Sequence, residues 1–329
     1  MPTFAARAYA KINLGLRVLG RRSDGYHELR TVFQTLRLAD RLRVKLERGR
    51  GIELQCRPAR GAVDARWLCA PPGRANLAWR AAECALEAFG LRAHVSIELE
   101  KHIPLQSGLG GGSSDAATVI EILAAAAPRR PSPQRIWEVA AALGADVPFF
   151  LVGGAAVGAG RGEEIYPLPD LPAWPCVLVL PRQHRMSTPR VFAAWDAVHP
   201  QAARTPAAVS AKITFCGSLW RALPVSRPRR DRGSGRLAFA PARPKVRAGI
   251  ANDLEEVVFP LSPDFRAIHR ALAAAPVLWT AMSGSGAAQF ALFADWRRAR
   301  TSAVRLRQWG PVWVTALLGR KQYARRLNS

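Results

Sequence analysis

Carboxylates are the scarce charge in this chain: 24 aspartates and glutamates stand against 48 lysines and arginines, a formal net charge of +24. Lysine is scarcer still, with six residues (Lys11, Lys45, Lys101, Lys212, Lys245, Lys321) beside forty-two arginines. Such an excess reads as a nucleic-acid-binding surface, or as codon bias written on solvated surface. The arginines are spread along the chain, with one concentration over Arg227 to Arg247, and are not interleaved with aromatics as in RNA-reading sheets. Nucleic acid is therefore not the expected partner. Cysteine is also sparse. The five residues (Cys56, Cys69, Cys84, Cys176, Cys216) are odd in number and form no CxxC pair, which excludes a disulfide framework or a zinc site and suits a reducing cytoplasm. The histidines (His27, His94, His102, His184, His199, His269) show no metal-ligand spacing. The most apolar run, Val147 to Gly160, falls short of the roughly 20 residues that span a bilayer. The N-terminal MPTFAARAYAKINLGL has no apolar core ahead of a cleavage site. A cytoplasmic chain without a membrane partner is expected.

Against these absences, 329 residues at 49% hydrophobic content are enough to bury a large core, divided between two domains. The stretch around which the rest is organised is PLQSGLGGGSSDAA, running from Pro104 through Leu105, Gln106, Ser107, Gly108, Leu109, Gly110, Gly111, Gly112, Ser113 and Ser114 to Asp115 and Ala117. Glycine permits positive φ and close backbone approach. Ser113 and Ser114 are good N-caps, and strong helix formers follow. The pattern predicts a loop whose N–H groups point outward at a helix start, where unpaired donors and the positive dipole end converge on an anion. A glycine turn with a serine cap fits the same residues. No lysine follows the last glycine, so this is not a Walker A loop, nor is it a clean dinucleotide fingerprint. Asp115 most simply complements the helix dipole.

Along the chain, Phe4–Leu19, Leu29–Leu38 and Arg41–Leu46 read as strands, the last two joined through Leu38-Ala39-Asp40. Asn76 to Phe89 is a helix stopped by Gly90, and Val95–Leu99 is a strand leading to Lys101 and the glycine loop. Ser132 caps a helix with Pro133 in its first turn. Phe149 to Gly162 reads as strand, glycine turn and strand. A proline cluster (Pro167, Pro169, Pro172, Pro175) marks a domain junction, giving domains at 1–168 and 169–329. Cys176–Leu180 opens the second as a buried strand. Helices at Thr188–Trp195, Ile250–Val258 and Pro263–Ala274 are expected, then a strand, a glycine turn and a strand over Trp279–Phe293. An arginine-rich helix and a last strand follow, and 227–247 reads as a mobile basic insertion.

Three features stand together: AKINLGL with Lys11 and Asn13, the central cradle, and MSGSGAA at Met282 to Ala288; between the last two lies GADVPFF with Asp146. The set resembles the GHMP kinase superfamily, whose three motifs run in this order. SDGYHELRTVFQTL at Ser23 to Leu36 is similar to a branch whose acceptor alcohol carries a cytidine diphosphate and which serves isoprenoid-precursor synthesis. The resemblance covers about Ala8 to Val198 and Asn252 to Phe293. It implies an α+β fold of two domains, the first with a left-handed, ribosomal-protein-like βαβ crossover and the second ferredoxin-like, with the site in the cleft between them.

Phosphoryl transfer to an alcohol needs a phosphate cradle, neutralised charge and an acceptor for the hydroxyl proton. The resemblance implies that Asp146 is that base and that Lys11 orients and acidifies the hydroxyl, with Asn13 holding the substrate. From position alone, Asp146 reads equally as an Asx-turn or cap, and Lys11 as a snorkelling strand-edge lysine. In the resembled branch, Tyr26 stacks on cytosine, His27 reads its polar edge and Phe192 covers the other face; by themselves the first two would form a half-buried turn and Phe192 core. Asn76 and Lys101 match positions lining the adenosine site, although Asn76 also reads as a helix N-cap. Ser283 to Gly286 is expected to buttress the cradle. ATP is the implied co-substrate. Mg²⁺ is inferred from nucleotide chemistry, since no acidic residue matches a dedicated metal ligand. A monomer or weak homodimer is expected. Three departures stand out: Gln106 and Ser107 in place of smaller cradle residues, a stretch at 213–249 that matches nothing, and the high basic charge. The alternatives are another small-molecule GHMP kinase, a degenerate one, or a basic nucleic-acid-binding module.

Overall fold

The structure is a computed structural model that describes residues 2–60, 65–182, 186–200 and 251–328, together with the backbone of two short paired strands, β8 (Pro228–Arg230) and β9 (Leu237–Phe239). The remainder of the basic stretch at 227–247, and most of 213–249, lies outside the described residues.

Two long antiparallel strands dominate the first half: β1 (Thr3–Arg21) and β2 (His27–Glu47). The sequence suggests a break at Leu38-Ala39-Asp40, but β2 is continuous there, with Ala39 opposite Tyr9 and Asp40 opposite Ala8. Nothing in that tripeptide breaks a strand, and Asp40 is fully buried because its carboxylate has a partner. A parallel crossover follows: β3 (Gly51–Pro58), α1 (Leu77–Ala88) and β4 (His94–Lys101), with β3 beside β4. Helices α2 (Gly111–Ala126) and α3 (Pro133–Leu143) complete the layer behind the sheet. Ser132 caps α3 by accepting from the Arg135 amide, as the Ser-Pro start predicts. Phe149–Val152, expected as strand, is instead a single helical turn, α4. Two buried phenylalanines in a short apolar run carry no periodicity that separates helix from strand. Gly153 and Gly154, both at positive φ, end the turn. Strands β5 (Ala155–Ala159) and β6 (Glu164–Pro167) finish a six-stranded sheet in the order β3-β4-β2-β5-β6, with β1 on β2.

Past the proline-rich link, β7 (Pro175–Val179) opens a second sheet. Next come α5 (Thr188–Val198), a short helix α6 (Glu255–Val258), α7 (Pro263–Ala273), β10 (Trp279–Met282), β11 (Gln289–Leu292), α8 (Trp296–Leu306) and β12 (Val312–Ala316). The helix expected from Ile250 forms only from Glu255 onward, because Asn252 pairs with Leu16 of β1 as an isolated bridge. The antiparallel order β10-β11-β7-β12, with helices between β7 and β10 and between β11 and β12, is the split βαβ arrangement of ferredoxin-like folds. One face of this sheet packs on α7 and α8 through Val177, Val179, Ile268, Leu272 and Phe293. The opposite face, with Leu178, Phe290 and Leu292, packs on Ile12, Leu14, Leu36, Ile103 and Leu109. One buried cluster therefore fixes β1 and the glycine loop against the second sheet, each large side chain contributing about 1.5–3 kcal/mol. The chain ends by returning to the first sheet: α9 (Arg320–Tyr323) brings the Tyr323 hydroxyl to the Phe150 carbonyl at 2.6 Å, and Arg326 pairs with Glu121.

Candidate active site

The glycine loop ends where Gly110, in the left-handed region at φ +70°, caps α2. Of its four glycines, two are required by the surrounding protein and a third is closely packed. A Cβ on Gly108 would stand 2.0 Å from the Ser283 carbonyl oxygen, one on Gly110 would meet Phe150 and Lys11, and one on Gly111 would lie 3.0 Å from Ile103. Gly112 differs: it needs no positive φ, and a Cβ there meets nothing within 4 Å. The protein itself leaves room for a Cβ in this place, so glycine here keeps open a space that no protein atom fills. The first amides of α2 have no intrahelical acceptor, and Ser114 Oγ is buried without a hydrogen-bond partner. Open space, free amides and an orphaned hydroxyl at the positive end of a helix are the donor set that nucleotide phosphates require.

Beneath this cradle lies an ion cluster. Lys101 is 1% exposed, and its ammonium sits between Asp40 and Asp115, the latter at 2.6 Å. Asp40 also accepts the His102 and Ile103 amides, at 2.5 and 2.8 Å. Asp115 has one oxygen without a partner. Burial, reinforced by the neighbouring Asp40 carboxylate, pushes the Asp115 carboxyl up to about 8, while its two carboxylates hold the Lys101 ammonium well above the usual lysine range. One cation between two acids is neutral only if one acid keeps its proton, and burial favours the protonated form of Asp115. Asp115 thus pairs with Lys101 instead of complementing the dipole from the first turn. Lys101, expected to line an adenosine site, faces no solvent, and its ammonium is held by Asp40 and Asp115. Asn76 is the α1 cap, accepting from the Ala78 amide at 3.0 Å and donating to the Pro71 carbonyl at 3.1 Å, so its amide is already engaged.

Register irregularities between Tyr9 and Lys11 and between Asn13 and Gly15 bracket the next element; such bulges re-aim side chains. Lys11 and Asn13, two apart, share a face. The Lys11 ammonium is 2.7 Å from Asn13 Oδ1 and 3.2 Å from Asp146 Oδ2, with the Phe33 ring at 5.4 Å. The Lys11 amide donates to the Leu109 carbonyl at 2.9 Å, which ties the strand to the cradle. Asp146 sits in the turn closed by the Val147 amide on the Gly144 carbonyl, with its carboxylate 35% exposed beside Lys11. Asn13 is 2% exposed; its amide nitrogen donates to Thr31 Oγ1 at 2.7 Å, so the side chain orients Lys11 from within the sheet. The second glycine turn closes the mouth. Ser283 Oγ donates to the Gly108 carbonyl at 2.9 Å and lies 3.3 Å from the Asn13 amide, while Asn252 holds the Met282 and Gly284 carbonyls. Lys11, Asp146 and the cradle, distant in sequence, therefore meet.

A second cluster forms around the Arg22–Tyr26 turn. Tyr26 is 56% exposed, with the Arg161 guanidinium 4.9 Å from its ring centre. His27 is buried, and Phe192 lies directly on its imidazole, centroids 4.6 Å apart and planes 22° from parallel. The Phe192 ring thus covers one face of the His27 imidazole. Ser283 buttresses the cradle as its motif suggests, whereas Thr31, Asp40 and Asp196 escape sequence reasoning. Only Asp40 carries a signal, an acid mid-strand in a chain whose apolar strands hold buried lysines.

The profile of GHMP kinases N terminal domain matches residues 76–154, and that of GHMP kinases C terminal matches 238–311. A protein of Solibacter usitatus named 4-diphosphocytidyl-2-C-methyl-D-erythritol kinase is 37% identical over 317 residues, covering 96% of this chain and 89% of that protein. One of the same name from Moorella thermoacetica is 40% identical over 315 residues, covering 94% and 97%. The chain belongs to the 4-diphosphocytidyl-2-C-methyl-D-erythritol kinase family of GHMP kinases. A crystal structure titled 4-(cytidine 5'-diphospho)-2C-methyl-D-erythritol kinase superposes with a TM-score of 0.71 at 37% identity, covering 96% of this chain and 99% of that one. Homoserine kinase from Cytophaga hutchinsonii, at 17% identity and a TM-score of 0.66, shares the fold. GHMP kinases take ATP as co-substrate. This membership disfavours a nucleic-acid-binding module, and among the described residues no helix is long and apolar enough to cross a membrane.

Proposed function

We propose that the chain transfers the γ-phosphoryl group of ATP to the 2-hydroxyl of 4-diphosphocytidyl-2-C-methyl-D-erythritol. The observation that carries this reading is the Lys11–Asp146 pair, 3.2 Å apart at the mouth of the glycine cradle. Asp146 accepts the hydroxyl proton as the oxygen bonds to the γ-phosphorus and the bond to the ADP oxygen breaks. Lys11 holds Asp146 in place and neutralises charge growing on the acceptor oxygen; Asn13 and Thr31 fix Lys11. The α2 amides and Ser114 receive the phosphates over Gly112, and the Lys101 cluster supports that helix start from below. Among the described residues no three His, Cys, Asp or Glu side chains converge as a metal cage. A divalent ion would therefore be held by phosphate oxygens with Ser114 Oγ, and would supply charge neutralisation there. Tyr26 and His27 receive the cytosine, with Phe192 supporting His27 from behind.

The test is ADP release with the cytidyl alcohol, homoserine and mevalonate as acceptors. Turnover is expected with the first alone. Asp146→Asn should lose about 10²- to 10⁴-fold in kcat, and Lys11→Met about 10²-fold or more. Robust turnover of another alcohol with none of the cytidyl one would overturn the assignment; preserved turnover in Asp146→Asn would remove that residue from the base role.

A further inference from the structure

Helix α5 turns one face onto His27. Phe192, Trp195 and Asp196, spaced i, i+3 and i+4, all reach it: Phe192 stacks flat, Trp195 meets it edge-on at 6.0 Å, and Asp196 Oδ1 lies 2.6 Å from Nε2. The imidazole is thus gripped on a face, an edge and one nitrogen by three side chains 165 or more residues away in sequence. No catalytic duty requires that grip, since Asp146 and Lys11 lie elsewhere. Its chemical consequence follows from the acceptor-only nature of a carboxylate. Nε2 must carry the hydrogen it shares with Asp196, so the neutral ring keeps its lone pair on Nδ1. Nδ1 has no hydrogen-bond partner among the described residues.

We infer that Asp196 is a positioning residue that sets base specificity: by fixing the His27 hydrogen on Nε2 it presents Nδ1 as an acceptor for an amino group, selecting a 4-aminopyrimidine over a 4-oxopyrimidine. The inference rests on the cytidyl substrate proposed above. Cytosine offers an exocyclic N–H donor; uracil places a carbonyl oxygen at the same point, and lone pair then meets lone pair. A buried site built around one hydrogen bond discriminates strongly against the partner that cannot make it. Asp196 acts through His27, so its effect should appear in acceptor recognition and not in the phosphoryl step.

The experiment compares the cytidine-diphosphate acceptor with its uridine analogue in wild type, Asp196→Ala and Asp196→Asn, alongside ¹⁵N NMR of the histidine ring nitrogens. Wild type should prefer the cytidyl acceptor by about 10²-fold or more in kcat/KM and show His27 as the Nε2–H tautomer. Asp196→Ala should raise the cytidyl KM about tenfold or more, narrow the preference to about tenfold, mix the tautomers, and leave kcat and the ATP KM within about twofold. Asp196→Asn, whose amide oxygen still accepts from Nε2–H, should restore most of the preference. Equal use of both acceptors by wild type, an Nδ1–H tautomer, or an alanine variant that loses kcat alike on both acceptors would overturn the inference. Failure of wild type to turn over either acceptor would instead sink the proposed function, and the tautomer measurement would still decide whether Asp196 sets the ring.

Discussion

Gly112→Ala separates what the fold needs from what a ligand needs. On the protein alone the substitution is favourable. The site is the second residue of α2, φ is ordinary, and an added Cβ contacts nothing within 4 Å. Alanine is the better helix former by up to about 1 kcal/mol; in a first turn about half of that is realistic, a rise of about 1–2 °C in Tm. On the ligand the same methyl is unfavourable. Helical Cβ atoms tilt toward the N-terminus, which here is the direction of the cradle. Phosphates seated on the first α2 amides would have to move, and crowding of one methyl costs about 1–3 kcal/mol, or about 5- to 150-fold in affinity. Calorimetry of ATP binding beside urea denaturation reads both quantities in one preparation. The expected pair is a more stable protein that binds ATP more weakly. ATP affinity within about twofold of wild type in a normally folded variant would refute the placement of phosphate over Gly112.

Gly108→Ala should behave oppositely, because its Cβ would stand 2.0 Å from the Ser283 oxygen at a φ of +77°. A loss of about 2–4 kcal/mol in urea denaturation is expected from strain and the broken buttress, and a normally stable variant would refute that contact. Asp115 should give stability a pH slope. Its raised folded value means that the protonated form contributes stability in full below the unfolded aspartate range near pH 4, and this is lost as pH rises toward about 8. Glu255, pushed up to about 7 by burial, acts with the same sign. Asp115→Asn should therefore flatten the fall in stability between pH 5 and 8, and parallel profiles for wild type and variant would contradict the cluster. Thr31→Val should lower kcat by about tenfold with little change in the ATP KM, because Asn13 loses the hydroxyl that holds it against Lys11; an unchanged kcat would show that the network does not steer Lys11.

Local chemistry was legible wherever the sequence dictates conformation by itself. Ser132-Pro133 starts a helix, Gly90 and Gly144 stop one, and Asn76 caps α1 as its position suggests. Where tertiary pairing decides, the signal disappears. Asp40 resembles a connection because acids are rare inside strands, yet it is the charge that lets Lys101 be buried. Phe149-Phe150 resembles a strand because two adjacent core residues fit either geometry, and the choice is made by the glycines after them and by Tyr323 arriving from the chain terminus.

The same division runs through the site. Residues that would touch substrate belong to contiguous motifs and can be picked out one motif at a time: Lys11 in AKINLGL, Asp146 in GADVPFF, the glycines in the cradle. Residues that hold those side chains in place are single positions on other elements. Thr31 reaches Asn13 across the β1–β2 pair, Ser283 reaches Gly108 from the second sheet, and Asp196 reaches His27 from α5. None lies within the motif of the group it serves. A hydrogen-bond partner 169 residues away leaves no trace in spacing or periodicity, because the only constraint on it is a distance of under 3 Å in the folded chain. The pairing that would decide which base the enzyme accepts is accordingly the part of the site least written in the sequence.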